Sequence, residues 1–351
     1  MLNTAQPIRT DALVIGAGPV GLFAVFQLGL LGVHAHVVDS LPHAGGQPAE
    51  LYPDKPIYDI PGLPLSTGAG LAQALWQQTR PFAPTVHLKD EVANVHPLPD
   101  GRWSVNTAGG LCFDCATVFI AAGVGAFVPK NLALPGIEAF VGQQLHYHRP
   151  ADMPSKDERL LVMGDGDTAL QAAIDAAQAG ARVTLMHRRD AFKAEAKRVA
   201  EVQALRDSGG ITFLAAQAVG FEASEGQLQA LRVALPDGRE ERCAVNQVWA
   251  LTGLSPKLGA IAHWGLAMER KQLVVNTEDF QTDLRGIYAV GDINTYPGKK
   301  KLLVCGFHEA TLAAYGAMAI ITPGLAVPLQ YTTTSTQLHA RLGVNHPGES
   351  V

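Results

Sequence analysis

Hydrophobic residues near the start of the chain come in short unbroken runs that end at glycine or at an acidic residue. Residues 11–15 read DALVI, and residues 33–38 read VHAHVV before Asp39. Apolar runs of this length are typical of strands buried in a parallel sheet. The stretch between them has helical character to about residue 31, and Gly32 is a favourable C-cap residue. The pattern predicts a strand–helix–strand unit.

The turn between the first strand and the helix is rich in glycine. Residues 16–21 read GAGPVG and open the predicted helix directly. In such a turn the glycines allow a sharp bend, close approach of a pyrophosphate to the backbone, and tight helix–strand packing. The helix N-terminus then faces the phosphates, and Asp39 is placed to accept the ribose hydroxyls. We therefore expect a dinucleotide site here.

The same pattern occurs a second time in the chain. The apolar run 160–163 precedes the turn GDGDTA at residues 164–169, which has Ala169 in its third small position. The distance from the first glycine of the turn to the end of the second strand is 23 positions in both copies. Two copies with equal spacing are stronger evidence than one glycine motif. The sequence predicts an α/β fold with two Rossmann-like, three-layer dinucleotide-binding domains.

The two copies differ in charge at the ribose position. The first has Asp39, and the second has His187, Arg188 and Arg189. A carboxylate repels a 2′-phosphate, whereas guanidinium groups bind it in bidentate fashion. The first site is therefore predicted to hold FAD or NAD, and the second NADP. The alternative is that residues 189, 193 and 197 form one solvated helix face.

Two further apolar runs resemble each other and are expected to return the chain to the nucleotides. Residues 118–123 read VFIAAG, and residues 248–253 read VWALTG. Residues 286–292, GIYAVGD, form a third short strand that ends in Gly-Asp, and a helix is expected from about Glu309. Asp292 is placed to hydrogen-bond the ribityl or phosphate part of a flavin.

Composition narrows the class of protein. The 351 residues are 47% hydrophobic and 17% charged, which excludes intrinsic disorder. The net charge of −5 argues against a general nucleic-acid binder. Four cysteines are too few for a disulfide scaffold, residues 1–10 lack the pattern of a signal peptide, and no apolar stretch reaches membrane length. We expect a cytoplasmic protein without a membrane segment or a metal site.

Taken together, the motifs resemble the flavoproteins that have two dinucleotide-binding domains, and in length and layout they resemble thioredoxin reductase. The resemblance implies FAD and NADPH as cofactors. It also implies a discontinuous FAD domain, residues 1–127 and 253–330, with an NADPH domain, residues 128–252, inserted in it. Residues 331–351 would form a C-terminal extension over the flavin.

One feature of thioredoxin reductase is missing. Its redox Cys-x-x-Cys lies shortly before the second glycine turn, where residues 144–152 of this chain contain no cysteine. The pair Cys112 and Cys115 lies before the strand at 118, and in a strand their side chains would point to opposite faces. Residues 45–62 and the tail from Tyr331 instead resemble the thioredoxin-reductase-like ferredoxin(flavodoxin)–NADP⁺ reductases.

That resemblance implies roles for individual residues. Tyr52 and Tyr331 would stack on the two flavin faces, and Thr332 would lie near flavin N5, with no acid or base residue required. The remaining FAD contacts would be Gly16, Gly18, Pro19, Gly21, Asp39, Gly46, Gln47, Asp59, Val92, Ala122, Gly123, Phe127, Asp292 and Thr333. The NADP contacts would be Gly164, Gly166, Asp167, Thr168, Ala169, His187, Arg188, Arg189 and Lys193.

The implied activity is electron transfer between NADPH and ferredoxin or flavodoxin, by a homodimer. Two basic clusters are candidates for docking an acidic partner: residues 299–301, and Lys193 with Lys197 and Arg198. Three alternatives remain open: an NAD(P)H oxidase, a disulfide reductase that uses an external thiol, and a non-catalytic redox sensor.

Overall fold

The computed structural model describes residues 6–344, except for the side chain of Phe127. The chain forms two compact units: the first combines the segment up to Ala126 with the segment from Lys257, and the second is Phe127–Pro256. The chain returns from the second unit to the first between Pro256 and Lys257. This is four residues later than the boundary expected from the sequence, which was 252/253.

The helices and strands follow one another in this order. Before the first crossing and across it lie β1 (Ile8–Ile15), α1 (Pro19–Leu30), β2 (Ala35–Asp39), α2 (Gly46–Leu51), β3 (Pro56–Ile57), β4 (Ser66–Thr67), α3 (Gly68–Thr79), β5 (Thr85–Leu88), β6 (Val92–Pro97), β7 (Trp103–Thr107), β8 (Cys112–Ile120) and β9 (Ala126–Pro129). Next come β10 (Leu145–His146), β11 (Arg159–Met163), α4 (Asp167–Gln178), β12 (Arg182–His187), α5 (Ala196–Asp207), β13 (Ile211–Ala215), β14 (Gln217–Ser224), β15 (Gln227–Ala234), β16 (Glu240–Ala244), β17 (Gln247–Ala250) and β18 (Leu254–Lys257). The chain continues with β19 (Met268–Glu269), β20 (Gln272–Val274), β21 (Ile287–Ala289), β22 (Asn294–Thr295), α6 (Leu303–Ile321) and α7 (Thr336–Leu342).

The first unit is built on a sheet with the strand order β5-β2-β1-β8, and β21 pairs with the far half of β8. These five strands are parallel. The antiparallel strands β7 and β6 continue the sheet from the first half of β8. The core packs α1 and α6 against buried side chains such as Leu13, Phe119 and Tyr288.

The second unit repeats this plan. Its parallel sheet has the order β13-β12-β11-β17-β10, and the antiparallel strands β14–β16 fill the connection before β17. Strand by strand, this order matches β5-β2-β1-β8-β21. One core lies under α4 and α5, and another faces β14–β16, so the unit has three layers. The two Rossmann-like units that the repeat predicted are confirmed.

One local prediction from the sequence is wrong, and so is one of the alternatives that it left open. The last long helix begins at Leu303, six residues before the expected start at Glu309. Residues 189, 193 and 197 do not share a helix face, because residues 188–195 are not helical and α5 starts at Ala196. The backbone N–H of Lys193 instead donates to the carbonyl of Asp165, which ties this loop to the second glycine turn.

Helix α6 carries a buried acid on its inner face. The sequence-based expectation that no apolar stretch reaches membrane length is wrong, because α6 is long and apolar enough to cross a membrane. Glu309 and four alanines along α6 are nevertheless fully buried, and the helix packs on α1. We interpret α6 as a core helix. Glu309 forms an ion pair with Lys299, whose side chain is only 6% exposed. Lys299 is therefore not a surface charge for docking, contrary to the prediction, whereas Lys300 and Lys301 are exposed.

The pair of Lys299 and Glu309 gives a first testable prediction. In Lys299→Met the Glu309 carboxylate loses its buried cation, so the unfolding free energy of the first unit should fall by about 3–5 kcal/mol. Urea unfolding followed by circular dichroism measures this. The exposed neighbour provides the control, since Lys300→Met should change stability by no more than about 0.5 kcal/mol. Equal effects of the two variants would contradict the proposed importance of the pair.

Candidate functional site

The first glycine turn lies at the carboxyl end of β1, where neighbouring backbone leaves no room for side chains. Gly16 has φ +107°, and a Cβ added there would lie 2.5 Å from the carbonyl oxygen of Ala121. A Cβ on Gly21 would meet the carbonyl oxygen of Gly16. Gly18 differs, since the nearest atom to its ideal Cβ position is 3.7 Å away, on Gly46. The turn is thus closed behind Gly16 and Gly21 and open at Gly18, beside the N-terminus of α1.

A second segment approaches the same turn. The N–H of Gly45 donates to the carbonyl of Ala17 over 2.8 Å, and Gly46 lies against Gly18, where a Cβ on Gly46 would be 2.6 Å from the Gly18 Cα. The amide nitrogen of the Gln47 side chain lies close to Gly123, 2.7 Å from its ideal Cβ position. These contacts bring the predicted residues of α2, of the first turn and of residues 121–123 together.

Asp39 ends β2 beside this turn, and its carboxylate is buried. One oxygen accepts from the N–H of Ala17 at 2.6 Å, and the other accepts from the N–H of Leu41 at 2.8 Å. Burial raises the pKa of Asp39, and the two backbone hydrogen bonds partly oppose this. Each oxygen keeps a further lone pair, so the carboxylate can also accept hydroxyl groups.

The Gly-Asp sequence after β21 lies at the same edge of the sheet. Val20, on the first turn of α1, contacts Gly291 and Gly306. Glu309 accepts from the N–H of Gly291 at 2.7 Å, while Lys299 donates to the Gly291 carbonyl at 2.9 Å. The Lys299–Glu309 pair thus binds both the N–H and the carbonyl of Gly291, and it fixes the backbone that carries Asp292.

Tyr52 directly follows α2, and it lies close enough to this edge of the sheet for the carboxylates there to affect its pKa. Burial raises the pKa of Tyr52, and the carboxylates of Asp292 and Asp59 add to the effect. Tyr52 is half-buried and Asp59 is exposed. Val92 is buried at the start of β6, with 3% of its surface exposed. The side chain of Phe127 lies outside the described part of the chain.

The predicted tail residues do not contact this site within the described chain. Tyr331, Thr332 and Thr333 are exposed, Tyr331 by 64%. The tail is nevertheless anchored, because Leu338 of α7 is buried and the guanidinium of Arg341 donates to the carbonyl of Leu30 at the end of α1.

The second glycine turn has the geometry of the first. Gly164 has φ +147°, and a Cβ there would collide with the carbonyl of Leu251 and with Ala169. Gly166 is the N-cap of α4 and has nothing within 4 Å of its ideal Cβ position. Thr168 is exposed on the first turn of the helix. The open position in the middle of the turn therefore occurs in both units.

The acidic side chains of this turn are paired with cations. Asp165 lies 3.6 Å from the Nε2 of His187 and 3.7 Å from the ammonium of Lys193. Asp167 accepts from the guanidinium of Arg198 and, at 2.9 Å, from the N–H of Glu195. Arg198 is therefore an internal partner of the turn, which weakens its prediction as a docking residue.

Two arginines directly after β12 have guanidinium groups without a polar partner in the described part of the chain. Arg188 and Arg189 are exposed, and within residues 6–344 neither guanidinium makes a hydrogen bond or an ion pair. The neighbouring Asp190 accepts two hydrogen bonds of 2.9 Å from Arg206. The Nδ1 of His187 lies 2.9 Å from the carbonyl of Arg189. This end of the strand presents two free guanidinium groups beside the turn.

The cysteines offer no dithiol for disulfide exchange in the described structure. Cys112 and Cys115 both lie in β8, where Cys115 is fully buried and both thiols are free. Burial strongly raises the pKa of Cys115. A buried thiol with a raised pKa is a poor nucleophile.

Sequence reasoning missed the side chains that hold these sites in place. Glu309, Lys299 and Arg206 act on loops that lie 8 to 18 residues away in the chain. The only sequence signal was an acid inside an apolar helix, at Glu309, which requires a buried partner. Arg206 gave no signal, because an arginine near the end of a helix is common.

Comparison with known proteins agrees with this architecture. Residues 65–314 match the pyridine nucleotide-disulphide oxidoreductase family. Among solved structures, thioredoxin reductase of Lactococcus lactis superposes with a TM-score of 0.56 at 19% identity, covering 89% of this chain and 99% of that one. Bacillithiol disulfide reductase of Staphylococcus aureus gives a TM-score of 0.61 at 15% identity, with the same coverage of both chains. These likenesses concern the fold.

Curated relatives are much more similar in sequence. The chain is 54% identical to a ferredoxin–NADP reductase of Acidovorax sp. (strain JS42), over 97% of this chain and 98% of the relative. It is 52% identical to a ferredoxin–NADP reductase of Paracidovorax citrulli, over 99% of both chains. The chain therefore belongs to the ferredoxin–NADP reductase family, within the pyridine nucleotide-disulphide oxidoreductases.

Proposed function

We propose that this protein is an FAD-dependent ferredoxin–NADP⁺ reductase, with FAD in the first unit and NADPH in the second. The observation that carries the proposal is the repeated glycine turn with opposite charge at its ribose position. Asp39 is the last residue of β2, whereas Arg188 and Arg189 directly follow β12. The relatives named ferredoxin–NADP reductase support the same activity.

The first unit offers a cradle that suits FAD. The open space at Gly18 would admit the pyrophosphate beside the N-terminus of α1. Asp39 would accept the ribose hydroxyls, and the clamped backbone at Gly291 would hold Asp292 toward the ribityl and phosphate part. The other residues proposed to contact FAD are Pro19, Gly46, Gln47, Asp59, Val92, Ala122, Gly123, Phe127 and Thr333.

The second unit suits NADPH. The space at Gly166 would admit the pyrophosphate, and Arg188 and Arg189 would bind the 2′-phosphate through guanidinium forks. Lys193 would contribute charge only, since its side chain is 80% exposed and lies near Asp165. Asp167 would act indirectly, because its carboxylate already holds Arg198 and the N–H of Glu195.

Bound FAD would supply hydride exchange with NADPH and one-electron exchange with the iron–sulfur partner. The protein's own residues align and shield these groups. Tyr52 would cover one face of the flavin, Tyr331 the other, and Thr332 would offer a hydroxyl near N5. The resemblance on which these roles rest requires no general acid or base.

The tail supports a homodimer. Tyr331, Leu325 and Leu329 are 64%, 70% and 65% exposed, although the nearby helix α7 is docked. Apolar side chains left uncovered on an anchored segment are typical of an interaction surface. We infer that a second copy of the chain covers them, so that Tyr331 reaches the partner's flavin.

The four free cysteines agree with a reducing compartment such as the cytoplasm.

The alternatives have less support. A disulfide reductase needs an accessible dithiol or an external thiol, and Cys115 is buried. We propose ferredoxin or flavodoxin as the partner, and Lys300 and Lys301 as docking cations, since both are exposed and Lys299 is not. No observation specifically favours an oxidase or a redox sensor.

Anaerobic stopped-flow mixing tests the function. NADPH should bleach the flavin faster than NADH by a factor of about ten or more, because two guanidinium groups recognise the 2′-phosphate.

The partner is tested by cytochrome c reduction, which should require added ferredoxin. The variant Lys300→Glu/Lys301→Glu should slow this reduction, while ferricyanide reduction is unchanged. Bleaching without any ferredoxin dependence would instead support the oxidase.

A matched pair of glycine variants tests the two cofactor sites separately. Gly18→Ala should release FAD, because the new methyl group occupies the space proposed for the pyrophosphate. Gly166→Ala should weaken binding of 2′,5′-ADP, by about tenfold or more. Both residues have ordinary negative φ values and no close neighbour at Cβ, so both variants should fold.

Each variant is the control for the other. Gly18→Ala should bind 2′,5′-ADP like the wild type, and Gly166→Ala should retain its flavin through gel filtration. If either variant lost both ligands, or if the losses were exchanged, the assignment of FAD to the first unit and NADPH to the second would be wrong.

The tail gives a further prediction. Tyr331→Ala should raise flavin fluorescence about threefold or more, since a stacked phenol ring quenches the flavin and its removal exposes one face. Tyr58→Ala is the matched control, because Tyr58 is exposed to a similar extent, 68%. Equal fluorescence in the two variants would place Tyr331 away from any flavin.

A further inference from the structure

Asp190 is an acid next to the two arginines proposed to bind the 2′-phosphate. It directly follows Arg189 in the exposed loop after β12. Its two carboxylate oxygens each accept a hydrogen bond of 2.9 Å from a different nitrogen of Arg206. The bidentate contact lowers the pKa of Asp190, so the carboxylate is ionised and paired.

Arg206 is itself held by elements outside this loop. It lies in the last turn of α5, and its guanidinium carbon lies 4.6 Å from the ring centroid of Phe213 on β13. Phe213 packs edge-on against Phe192, with the ring centroids 5.6 Å apart. A guanidinium on an aromatic face and paired on its edge has little rotational freedom. The position of Arg206 therefore determines where Asp190 points.

An unpaired Asp190 would oppose NADPH binding in two ways. Its carboxylate would be within reach of the guanidinium groups of Arg188 and Arg189, both of which lack partners in the described part of the chain. It would also place a full negative charge beside the doubly charged 2′-phosphate, where like charges repel. NADH lacks that phosphate, so its binding would change little.

We propose that Arg206 is a specificity-determining positioning residue: by pairing with Asp190 it keeps Arg188 and Arg189 free for the 2′-phosphate of NADPH. The inference rests on the proposed function, which assigns the 2′-phosphate to those two arginines. Within residues 6–344, Arg206 forms no hydrogen bond with Arg188 or Arg189, and its polar partner is Asp190.

Calorimetric titration of the flavin-loaded protein with 2′,5′-ADP and 5′-AMP tests this without turnover. In Arg206→Gln the Kd for 2′,5′-ADP should rise by about tenfold, while the Kd for 5′-AMP changes by less than about twofold. The 5′-AMP titration also shows that the variant is folded. Adding Asp190→Asn removes the released charge, so the double variant should bind 2′,5′-ADP within about twofold of wild type.

Arg182→Gln is the matched control. It makes the same charge change in another arginine–aspartate pair, Arg182 with Asp157 at 3.2 Å, at the opposite end of β12. The strand places this pair about 16 Å from His187, and binding of both probes should be unchanged.

Three results would overturn the proposal. If the double variant bound 2′,5′-ADP as weakly as Arg206→Gln, Arg206 would act through the loop structure and not through the charge of Asp190. If Arg206→Gln bound like the wild type while Arg188→Ala/Arg189→Ala lost 2′,5′-ADP, Arg206 would have no role and the proposed function would stand. If Arg188→Ala/Arg189→Ala also bound like the wild type, the assignment of the phosphate site would be wrong.

Discussion

Close approach of two backbone segments at the carboxyl end of each central strand is the constraint on which both units depend. At Gly16 the neighbouring carbonyl belongs to Ala121, and at Gly164 it belongs to Leu251. Both glycines have positive φ, and any larger residue would meet the carbonyl oxygen directly. In each unit this carbonyl belongs to the residue that directly follows a strand, β8 in one unit and β17 in the other. The turn therefore bends sharply at the N-terminus of the next helix, a position that favours anions.

The chemical difference between the units arises one strand further along. Asp39 is buried and held by two backbone N–H groups, so it is a rigid acceptor that lies close to the first turn. Arg188 and Arg189 lie beyond the end of β12 and are exposed. A short buried acid suits a neutral ribose, whereas two long exposed cations suit a phosphate group that projects into solvent. Under the proposed function, one architecture would thus serve two nucleotides through the residues at the end of its second strand.

Features that depend on neighbouring residues were predictable from the sequence, and features that depend on distant pairs were not. The spacing from Gly16 to Asp39 fixes a strand, a turn, a helix and a second strand, and each is determined by local geometry. The start of α6 was misplaced because Leu302 offers no capping side chain to mark it. Lys299 was mistaken for a surface charge because its partner, Glu309, lies ten residues further along the chain. Positions 189, 193 and 197 have helical spacing, but the hydrogen bond from Lys193 to the second glycine turn draws the backbone out of a helix.

The same distant pairs explain how an acidic protein can present a site for a polyanion. Four acids lie in or near the second turn and its basic loop: Asp165, Asp167, Asp190 and Glu195. Arg198 is 3.8 Å from Glu195 and also pairs with Asp167, and Arg206 pairs with Asp190. Lys193 and His187 lie within 4 Å of Asp165. Asp165, Asp167 and Asp190 are thus each matched by a cation from another segment, whereas Glu195 is matched by Arg198 three residues further along the chain. Among the described residues 164–198, the exposed cations left without an ion pair are Arg188, Arg189 and Lys197. Under the proposed function, selectivity for a phosphate group would therefore depend as much on how the surrounding acids are paired as on the residues that would touch the ligand.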